Sequence, residues 1–265
     1  MPEVPSLSYL AIALLAALTI AGLALRVRAL SRSGAAAAAF IGFSLFGFGK
    51  WQGAAALLLF FVSSSLLSRF GKARKEAMHF EKGSERDAGQ VFANAGAAAL
   101  LALALPFVYP NEWLIAATLG ALATANADTW ATEIGSLSRG QPRIITNFQP
   151  APPGASGAIS VNGTLAALAG AVLLAFMAFA WGGDAGTFVA VALGGFVGSL
   201  LDSLLGATIQ IQYRCPVCGK VLETTEHCGT PTSPFRGYKF FNNDIINLAA
   251  TILGGVLSAV LSQIF

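Results

Sequence analysis

The sequence predicts an all-α polytopic transmembrane helix bundle. Hydrophobic residues make up 55% of the 265-residue chain and charged residues only 11%, whereas soluble domains carry about 25% charged residues. The mean hydropathy is +0.67. Apolar runs recur along the whole chain, and most approach the roughly 20 residues that a helix needs to cross a bilayer.

Eight segments fit membrane-spanning helices, so we expect about eight spans, with six as the lower bound, in one integral membrane domain of residues 1–265. The second segment is short and rich in Ala and Gly, so it either crosses the membrane or forms a re-entrant or shallow helix. The predicted spans are residues 7–25, 34–49, 51–68, 90–109, 113–136, 158–181, 186–210 and 245–265.

The basic residues predict the orientation. Fifteen of the sixteen Lys and Arg fall at one predicted end of the bundle, and only Lys50 falls at the other. The positive-inside rule makes the basic end cytoplasmic, so we expect a multi-pass protein of the cell membrane with both termini outside. No basic region precedes the first apolar run, so no cleaved signal or transit peptide is predicted.

Two hydrophilic segments belong to the cytoplasmic side in this topology. They are a charged linker, residues 69–87, and a Cys-rich loop insertion, residues 213–235. The net charge is only +3 and is divided among several loops, which argues against a nucleic-acid partner.

Asp128 and Glu133 lie inside the fifth predicted span. An ionisable group in hydrocarbon is costly unless it faces a partner or water, so both are candidate functional residues. At about 100° per residue the two carboxylates lie about 140° apart around a straight helix, and they cannot both bind one ion from it. Either the helix breaks near residues 133–135, or the carboxylates meet different partners. The alternative is a structural role, with Arg139 or a nearby hydroxyl as partner.

The seventh predicted span carries a stripe of small and polar residues. Gly195, Ser199, Asp202, Gly206 and Gln210 recur at intervals of three or four, which places them on one face of a helix. Close packing through small residues explains the glycines and the serine. It does not need a carboxylate, so Asp202 is a further candidate for an active site. We expect a single such site at the cytoplasmic, basic end, where the unusual residues of the chain lie.

The three cysteines form a separate pattern. Cys215 and Cys218 have the spacing of a zinc knuckle, and His227 with Cys228 would complete a Cys₃His site for structural Zn²⁺. Because His227 and Cys228 are adjacent, it is open whether both reach one ion. The alternative is a set of reduced thiols, since a disulfide is not expected on the cytoplasmic side.

Several strings of residues carry a resemblance to a known family. They are SRSG (31–34), RDAGQVFANAG (86–96), ADTWATEIGSLS (127–138), PRIITNFQPAPPGASGAIS (142–160), GSLLDSLLGATIQ (198–210) and NNDIIN (242–247). Together they resemble the integral membrane family that includes the plant and cyanobacterial phytyl-phosphate kinase of tocopherol synthesis. That family is more distantly similar to phytol kinase, dolichol kinase and phosphatidate cytidylyltransferase, which use CTP with Mg²⁺. The chain departs from some relatives at Asn242, where they have Asp, and in the Cys-rich loop.

The resemblance implies a Mg²⁺-dependent membrane kinase. It would transfer a phosphoryl group from a nucleoside triphosphate, CTP, to a polyprenyl monophosphate whose tail lies in the bilayer, giving the diphosphate. Asp128, Glu133 and Asp202 would be catalytic, with Asp128 and Asp202 as Mg²⁺ ligands. The phosphate-binding residues would be Thr129, Thr132, Arg139, Arg143, Thr146, Ser199, Asn243 and Asp244, helped by the turn at residues 154–157.

Two other classes of protein remain open. A transporter would also bury carboxylates, but its ion site usually lies near the midplane between inverted repeats. Asp128 and Asp202 instead fall about 12 Å from the basic ends of their spans, and no internal repeat is visible. A structural membrane protein that recruits a partner through a zinc loop leaves the intramembrane acids unexplained. No Walker-type loop is present, so a P-loop kinase is excluded.

Overall fold

The computed structural model describes residues 4–69, 85–109, 111–138 and 140–265. Most of the predicted charged linker, and all of Arg139, therefore lie outside the described residues. The described helices are α1 (Leu7–Arg26), α2 (Arg32–Arg69), α3 (Ala88–Ala104, extended by the 3₁₀ turn Leu105–Phe107), α4 (Glu112–Leu137), α5 (Val161–Ala175), α6 (Met177–Ala180), α7 (Ala185–Thr208) and α8 (Asn243–Leu261).

Short strands occupy the loops beside this bundle. β1 (Arg143–Ile144) pairs with β2 (Ala158–Ile159) in an antiparallel ladder. After α7, β3 (Gln212–Arg214) lies between β4 (Val221–Leu222) and β7 (Ser233–Arg236), and β5 (Glu226–His227) pairs with β6 (Thr230–Pro231). The helices dominate, which confirms the predicted fold class.

Polar side chains fix where several helices begin. Ser6, Asp87, Ser160, Asp184 and Asn242 each accept a hydrogen bond from the backbone N–H three residues later. Such caps satisfy N–H groups that have no partner within the helix. The starts of α1, α3, α5, α7 and α8 are therefore encoded locally.

Helix α2 reverses direction in its middle. Lys50 has the non-helical angles φ 55° and ψ −161°, and Gly53 packs against the backbone carbonyl of Leu45. In a continuous helix these two residues would be about 12 Å apart. Residues 32–49 and 51–69 are therefore two antiparallel helices, as the two predicted spans on either side of Lys50 require.

The first half of α2 is a full-length pass rather than a shallow element. Tyr9, near the start of α1, donates to the Phe46 carbonyl at 3.2 Å, and Gly42 lies against Ala17 in the middle of α1. The half-helix thus runs antiparallel to α1 over the length of that helix. This settles the alternative that the sequence left open for the second span.

The start of α1 and the last residue of the chain share one end of the bundle with the Lys50 turn. Gln52 donates to the Ala180 carbonyl at 3.4 Å, which joins the turn to the end of α6. Gly186, at the start of α7, packs against Phe265. We call this the terminal end, and the opposite end, where the basic loops lie, the basic end. Which end faces the cytoplasm stays a prediction.

Six of the described helices are long and apolar enough, by length and composition, to cross a membrane. One of the six is α2, which the reversal divides into two passes. Helix α4 is not among the six, but it also runs between the two ends, so eight helical segments join the two ends of the described bundle. Its large apolar side chains are exposed on the outer helices, with Leu7, Leu15 and Leu66 each more than 60% accessible, as a lipid-facing surface requires.

Helix α4 lies at the centre and touches α2, α3, α5, α7 and α8. Its contacts with α7 and α8 run through small residues: Gly195 lies against Ala123, Gly120 lies against Ser258, and Gly255 lies against Ala121. Small residues let helix backbones approach closely where no hydrophobic effect drives association. This close packing places the polar residues of α4 between its neighbours.

Candidate active site at the basic end of the bundle

Asp128 and Glu133 lie on one unbroken helix. Helix α4 continues to Leu137, so the predicted break near residues 133–135 does not occur. On this unbroken helix the two carboxylates lie on different sides, and the partners of Asp128 stay a prediction. One side of α4 faces α7 and α8, and another faces α2 and α5.

The side of α4 that carries Asp128 faces α7 and α8. Thr124, one turn earlier, contacts both Gly198 of α7 and Gly254 of α8. Asp128 and Asp202 are each four residues beyond this contact, on helices that run in the same direction, so they lie at the same level on adjacent helices. Both are partly buried. The two acids that the sequence selected thus lie at one level on neighbouring helices.

Helix α8 adds polar groups beside these acids. The Asn247 side chain lies between two acceptors, Asp202 Oδ2 at 2.9 Å and the Asn243 carbonyl at 3.3 Å, so its amide nitrogen is assigned to this side and donates to both. One turn nearer the basic end, Asp244 approaches α3: a side chain at Gly89 would meet Asp244 Oδ2 at 2.6 Å. Glycine at position 89 therefore leaves the space that this carboxylate occupies.

Glu133 faces a different part of the bundle. Ser68, in the second half of α2, donates to Glu133 Oε1 at 2.6 Å. Arg86 lies at the start of α3, where burial lowers its pKa while the negative charge of Glu133 raises it. The nearby hydroxyl that the sequence left open as a partner for Glu133 thus comes from α2.

A buried amide fixes the position of α4 on this side. Asn126 is fully buried; its amide nitrogen donates to the Gly170 carbonyl of α5 at 2.8 Å, and its oxygen accepts from Ser63 of α2 at 3.0 Å. Trp130 donates to the same Ser63 hydroxyl at 3.3 Å. Three helices are therefore joined by one polar network, which sets the rotation of α4 and hence the direction of its acids.

The two basic-end motifs in the first half of the chain also meet. The Ser31 N–H donates to the Arg86 carbonyl at 3.0 Å, and Gly34 packs against that same carbonyl. With the contact between Gly89 and Asp244, this connects the strings at residues 31–34, 86–96 and 242–247 at one end of the molecule. A single site at this end was the sequence-based expectation.

The residues predicted to bind phosphate are scattered around this end. Arg143, on β1, donates to the Phe148 carbonyl at 2.7 Å and is exposed, as is Thr146. Thr129 donates to the Ala125 carbonyl of its own helix. The remaining described members are Thr132, exposed at the end of α4; Ser199, 2% exposed inside the bundle; and Asn243, in the first turn of α8.

A groove with an almost wholly apolar lining begins one helical turn from Asp244. Its volume is about 750 Å³, and it runs along α3, α4 and α8. Phe92 and Leu248 line it, one turn beyond Gly89 and Asp244, and Trp113 and Gln263 line it toward the terminal end. Its size lies within the usual range for ligand pockets, about 300–1,000 Å³.

The Cys-rich loop forms a second cluster next to α7. The ligand atoms of Cys215, Cys218, His227 and Cys228 all lie within 4.8 Å of one another. A hydrogen bond from the Cys218 backbone N–H lowers the pKa of the Cys215 thiol to about 6, whereas burial and the two neighbouring thiols raise the pKa of Cys228 to about 11. The adjacency of His227 and Cys228 does not keep either away from the cluster.

The profile of the family described as "Integral membrane protein DUF92" matches residues 15–255. The chain belongs to this family. It is 33% identical to "Protein PGR" of Arabidopsis thaliana, over 78% of this chain and 81% of that protein. No solved structure gives a significant match.

Two further relatives extend the comparison. The chain is 30% identical to "Uncharacterized membrane protein MJ0933" of Methanocaldococcus jannaschii, over 88% of this chain and 86% of that protein. It is 25% identical to "Protein VTE6, chloroplastic" of Arabidopsis thaliana, over 92% of this chain and 68% of that protein. The family that the sequence motifs suggested is therefore the family to which the chain belongs, and it is a family of integral membrane proteins.

The sequence did not single out Ser68, Arg86 or Asn247. Ser68 and Asn247 each contact a predicted site residue on another helix, and Arg86 interacts with Glu133 through its charge. No spacing within one helix reveals such pairs. For Asn247 a weak signal exists, because it follows Asp244 by three residues and thus lies on the same side of α8.

Proposed function

We propose that this protein is a membrane kinase that transfers the terminal phosphoryl group of a nucleoside triphosphate to a polyprenyl monophosphate, giving the diphosphate. The observation that carries the proposal is the position of Asp128 and Asp202. They lie at one level on adjacent helices, beyond the contact of Thr124 with Gly198. A third acid, Asp244, lies on α8 one turn before Leu248, where an apolar groove begins.

The acids suit a magnesium ion. Mg²⁺ takes oxygen ligands and is usually held by one or two protein carboxylates plus substrate phosphates. Asp128 and Asp202 would supply the two carboxylates, and Asn247, which donates to Asp202 Oδ2, would fix the orientation of one of them. When bound, the ion would neutralise the charge on the phosphates, which is the main requirement of phosphoryl transfer.

The reaction needs few further groups. A terminal oxygen of the prenyl monophosphate attacks the γ-phosphorus, the bridging bond between β- and γ-phosphates breaks, and the nucleoside diphosphate leaves. The chain has to place the two phosphates in line and stabilise their negative charge. The basic residues at this end, Arg143 among them, would bind phosphate oxygens, for which arginine's forked donors are suited.

The apolar groove supports a lipid acceptor. It lies among helices that face lipid and begins one turn from Asp244, at Phe92 and Leu248. A prenyl chain in this groove would leave its phosphate at the basic end, near Asp244. A soluble substrate has no apolar chain that would fill a groove of this length in the bilayer.

The family adds support of a coarser kind. The motifs of the chain resemble those of the family that includes the phytyl-phosphate kinase. The chain is also 25% identical to the chloroplastic protein VTE6. From this level of identity we infer only the class of reaction, phosphoryl transfer. The choice of CTP as the donor and of a phytyl-like acceptor is a finer proposal, and it follows from the resemblance.

The test uses the purified full chain in lipid nanodiscs with Mg²⁺. CTP, ATP, GTP and UTP, each labelled at the γ-phosphate, are offered with prenyl alcohols, prenyl monophosphates of several lengths, and phosphatidate. We expect label in a prenyl diphosphate, with CTP the best donor. Label in a prenyl monophosphate would move the activity to an alcohol kinase. No transfer to any acceptor would refute the kinase.

A further inference from the structure

The Cys-rich loop has the geometry of a tetrahedral metal site. His227 Nδ1 lies 3.4 Å from Cys218 Sγ and 3.2 Å from Cys228 Sγ. With Zn–S near 2.3 Å and Zn–N near 2.0 Å, tetrahedral ligands would lie about 3.6 Å apart. Cys215 Sγ completes the set, and all four ligand atoms lie within 4.8 Å of one another.

The backbone is shaped to present these ligands. A two-residue turn, Cys228 and Gly229, joins β5 to β6, and both of its residues have positive φ, 53° and 68°. Asn or Gly usually fills such a turn, because other side chains are disfavoured there. A cysteine in this conformation turns its thiol toward His227 Nδ1, which explains how two adjacent residues reach one ion.

The loop has almost no apolar core of its own. From residue 213 to residue 236, a range that the structure describes in full, Cys215 is the one buried residue, at 1% exposure. The strands are two to four residues long. A segment that buries so little apolar surface needs another source of stability, and structural zinc sites supply one.

The loop is tied to the membrane helices by Glu223, which directly follows β4. Its Oε1 accepts from the Ser156 hydroxyl at 2.6 Å and from the Gln210 amide at 2.9 Å. Ser156 belongs to the turn at residues 154–157, whose Gly157 packs against Ala207 near the end of α7. The second tie is Arg236, which donates to the Gly206 carbonyl at 3.1 Å.

We propose that Cys215, Cys218, His227 and Cys228 bind one structural Zn²⁺, and that the ion holds the Cys-rich loop so that Glu223 clamps the 154–157 turn onto the end of α7. This end of α7 lies one turn beyond Asp202, so the clamp supports the basic end of the bundle. The proposal does not depend on the reaction that the membrane acids perform.

The metal is tested on the full chain purified in detergent without chelator. We expect about one zinc per chain, reduced to background in Cys218→Ser/Cys228→Ser. The matched control is Glu226→Gln, which alters an exposed side chain beside His227 and should keep the zinc. Replacement by Co²⁺ should give the intense visible absorption of a tetrahedral thiolate site. A wild-type chain that neither contains zinc nor takes up added Zn²⁺ would overturn the site.

The clamp is tested by hydrogen exchange. Removing the metal with a chelator should raise exchange in residues 154–157 as well as in 213–235, and Glu223→Ala should raise it in 154–157 with the zinc content unchanged. If chelation affects residues 213–235 alone, the ion stabilises only its own loop and the clamp is wrong. Because neither readout involves turnover, these results stand apart from the outcome of the kinase assay.

Discussion

The acid pair inside the bundle and the Cys-rich loop at its edge position their side chains by different means. Asp128 and Asp202 follow a contact in which Gly198 and Gly254 lie against Thr124, so the rigid helices around them set their positions. The loop has strands of two to four residues and a single buried side chain. In lipid, a helix satisfies the hydrogen bonds of its own backbone. A short exposed loop without an apolar core instead needs other contacts or a metal ion to fix its conformation.

This difference predicts opposite sensitivities. The acid pair should tolerate loss of any one polar contact but not a change in the spacing of the helices. The Cys-rich loop should tolerate changes of side-chain volume but not loss of its ligands.

The largest effect is expected from neutralising the acids. Asp128→Asn and Asp202→Asn should each lower turnover by about 10³-fold or more, because a site for transferring phosphates loses its metal ligand. Apparent melting temperatures should not fall, since a neutral side chain in the bilayer removes a desolvation cost. The control is Asp184→Asn at the terminal end, which keeps the helix cap. Magnesium-dependent transfer that survives both substitutions would place the catalytic centre elsewhere.

The spacing of the helices is tested at Gly198. In Gly198→Ala the new methyl group would overlap Thr124, so α4 and α7 have to separate, at a cost of about 1–3 kcal/mol. Gly22→Ala is the matched control, because a side chain there meets nothing within 4 Å. The apparent melting temperature and the activity should both fall in Gly198→Ala and stay unchanged in Gly22→Ala. Equal stability of the two variants would show that this crossing is not close-packed.

Much of this arrangement could be predicted from one sequence. The helices follow from the apolar runs, and the reversal at Lys50 follows from a charged residue between two of them. The separation of Asp128 from Glu133 follows from 100° per residue. The interior stripe on α7 is borne out as far as Gly206, because Gly195, Ser199 and Gly206 are buried. Gln210 is also buried, but it lies beyond the end of the helix at Thr208.

The partners of the acids could not be predicted in the same way. Ser68 reaches Glu133 from 65 residues away in the chain, and Asn247 reaches Asp202 from another helix. Which helices are neighbours depends on the packing of the whole bundle, and a periodic pattern gives only the side of each helix that is buried. Contacts between residues far apart in the chain produce no regular interval from which the pair could be recognised in the sequence.

The two sides of α4 are compared by Glu133→Gln. The Ser68 hydroxyl can still donate to the amide oxygen, so we expect a loss of activity of tenfold or less, equivalent to about 1.4 kcal/mol. The assay is the same labelled transfer used for Asp128→Asn, and Ser68→Ala serves as the partner variant. A loss as large as that of Asp128→Asn would make Glu133 a member of the metal site and would contradict the division of α4 into two functional sides.

The smallest effect is expected at the start of α8, which carries Asn243, Asp244 and Asn247. Asn242 caps this helix by accepting from the Ile245 N–H at 3.0 Å, so Asn242→Ala should cost about 1 kcal/mol and lower the apparent melting temperature by a few degrees. Asn242→Asp keeps the acceptor and adds a negative charge at the positive end of the helix, which should leave stability equal or slightly higher. If both variants melted alike, the cap would contribute nothing to stability. If Asn242→Ala also lowered turnover in proportion to its stability, the capped first turn would be part of what holds the acids at the basic end.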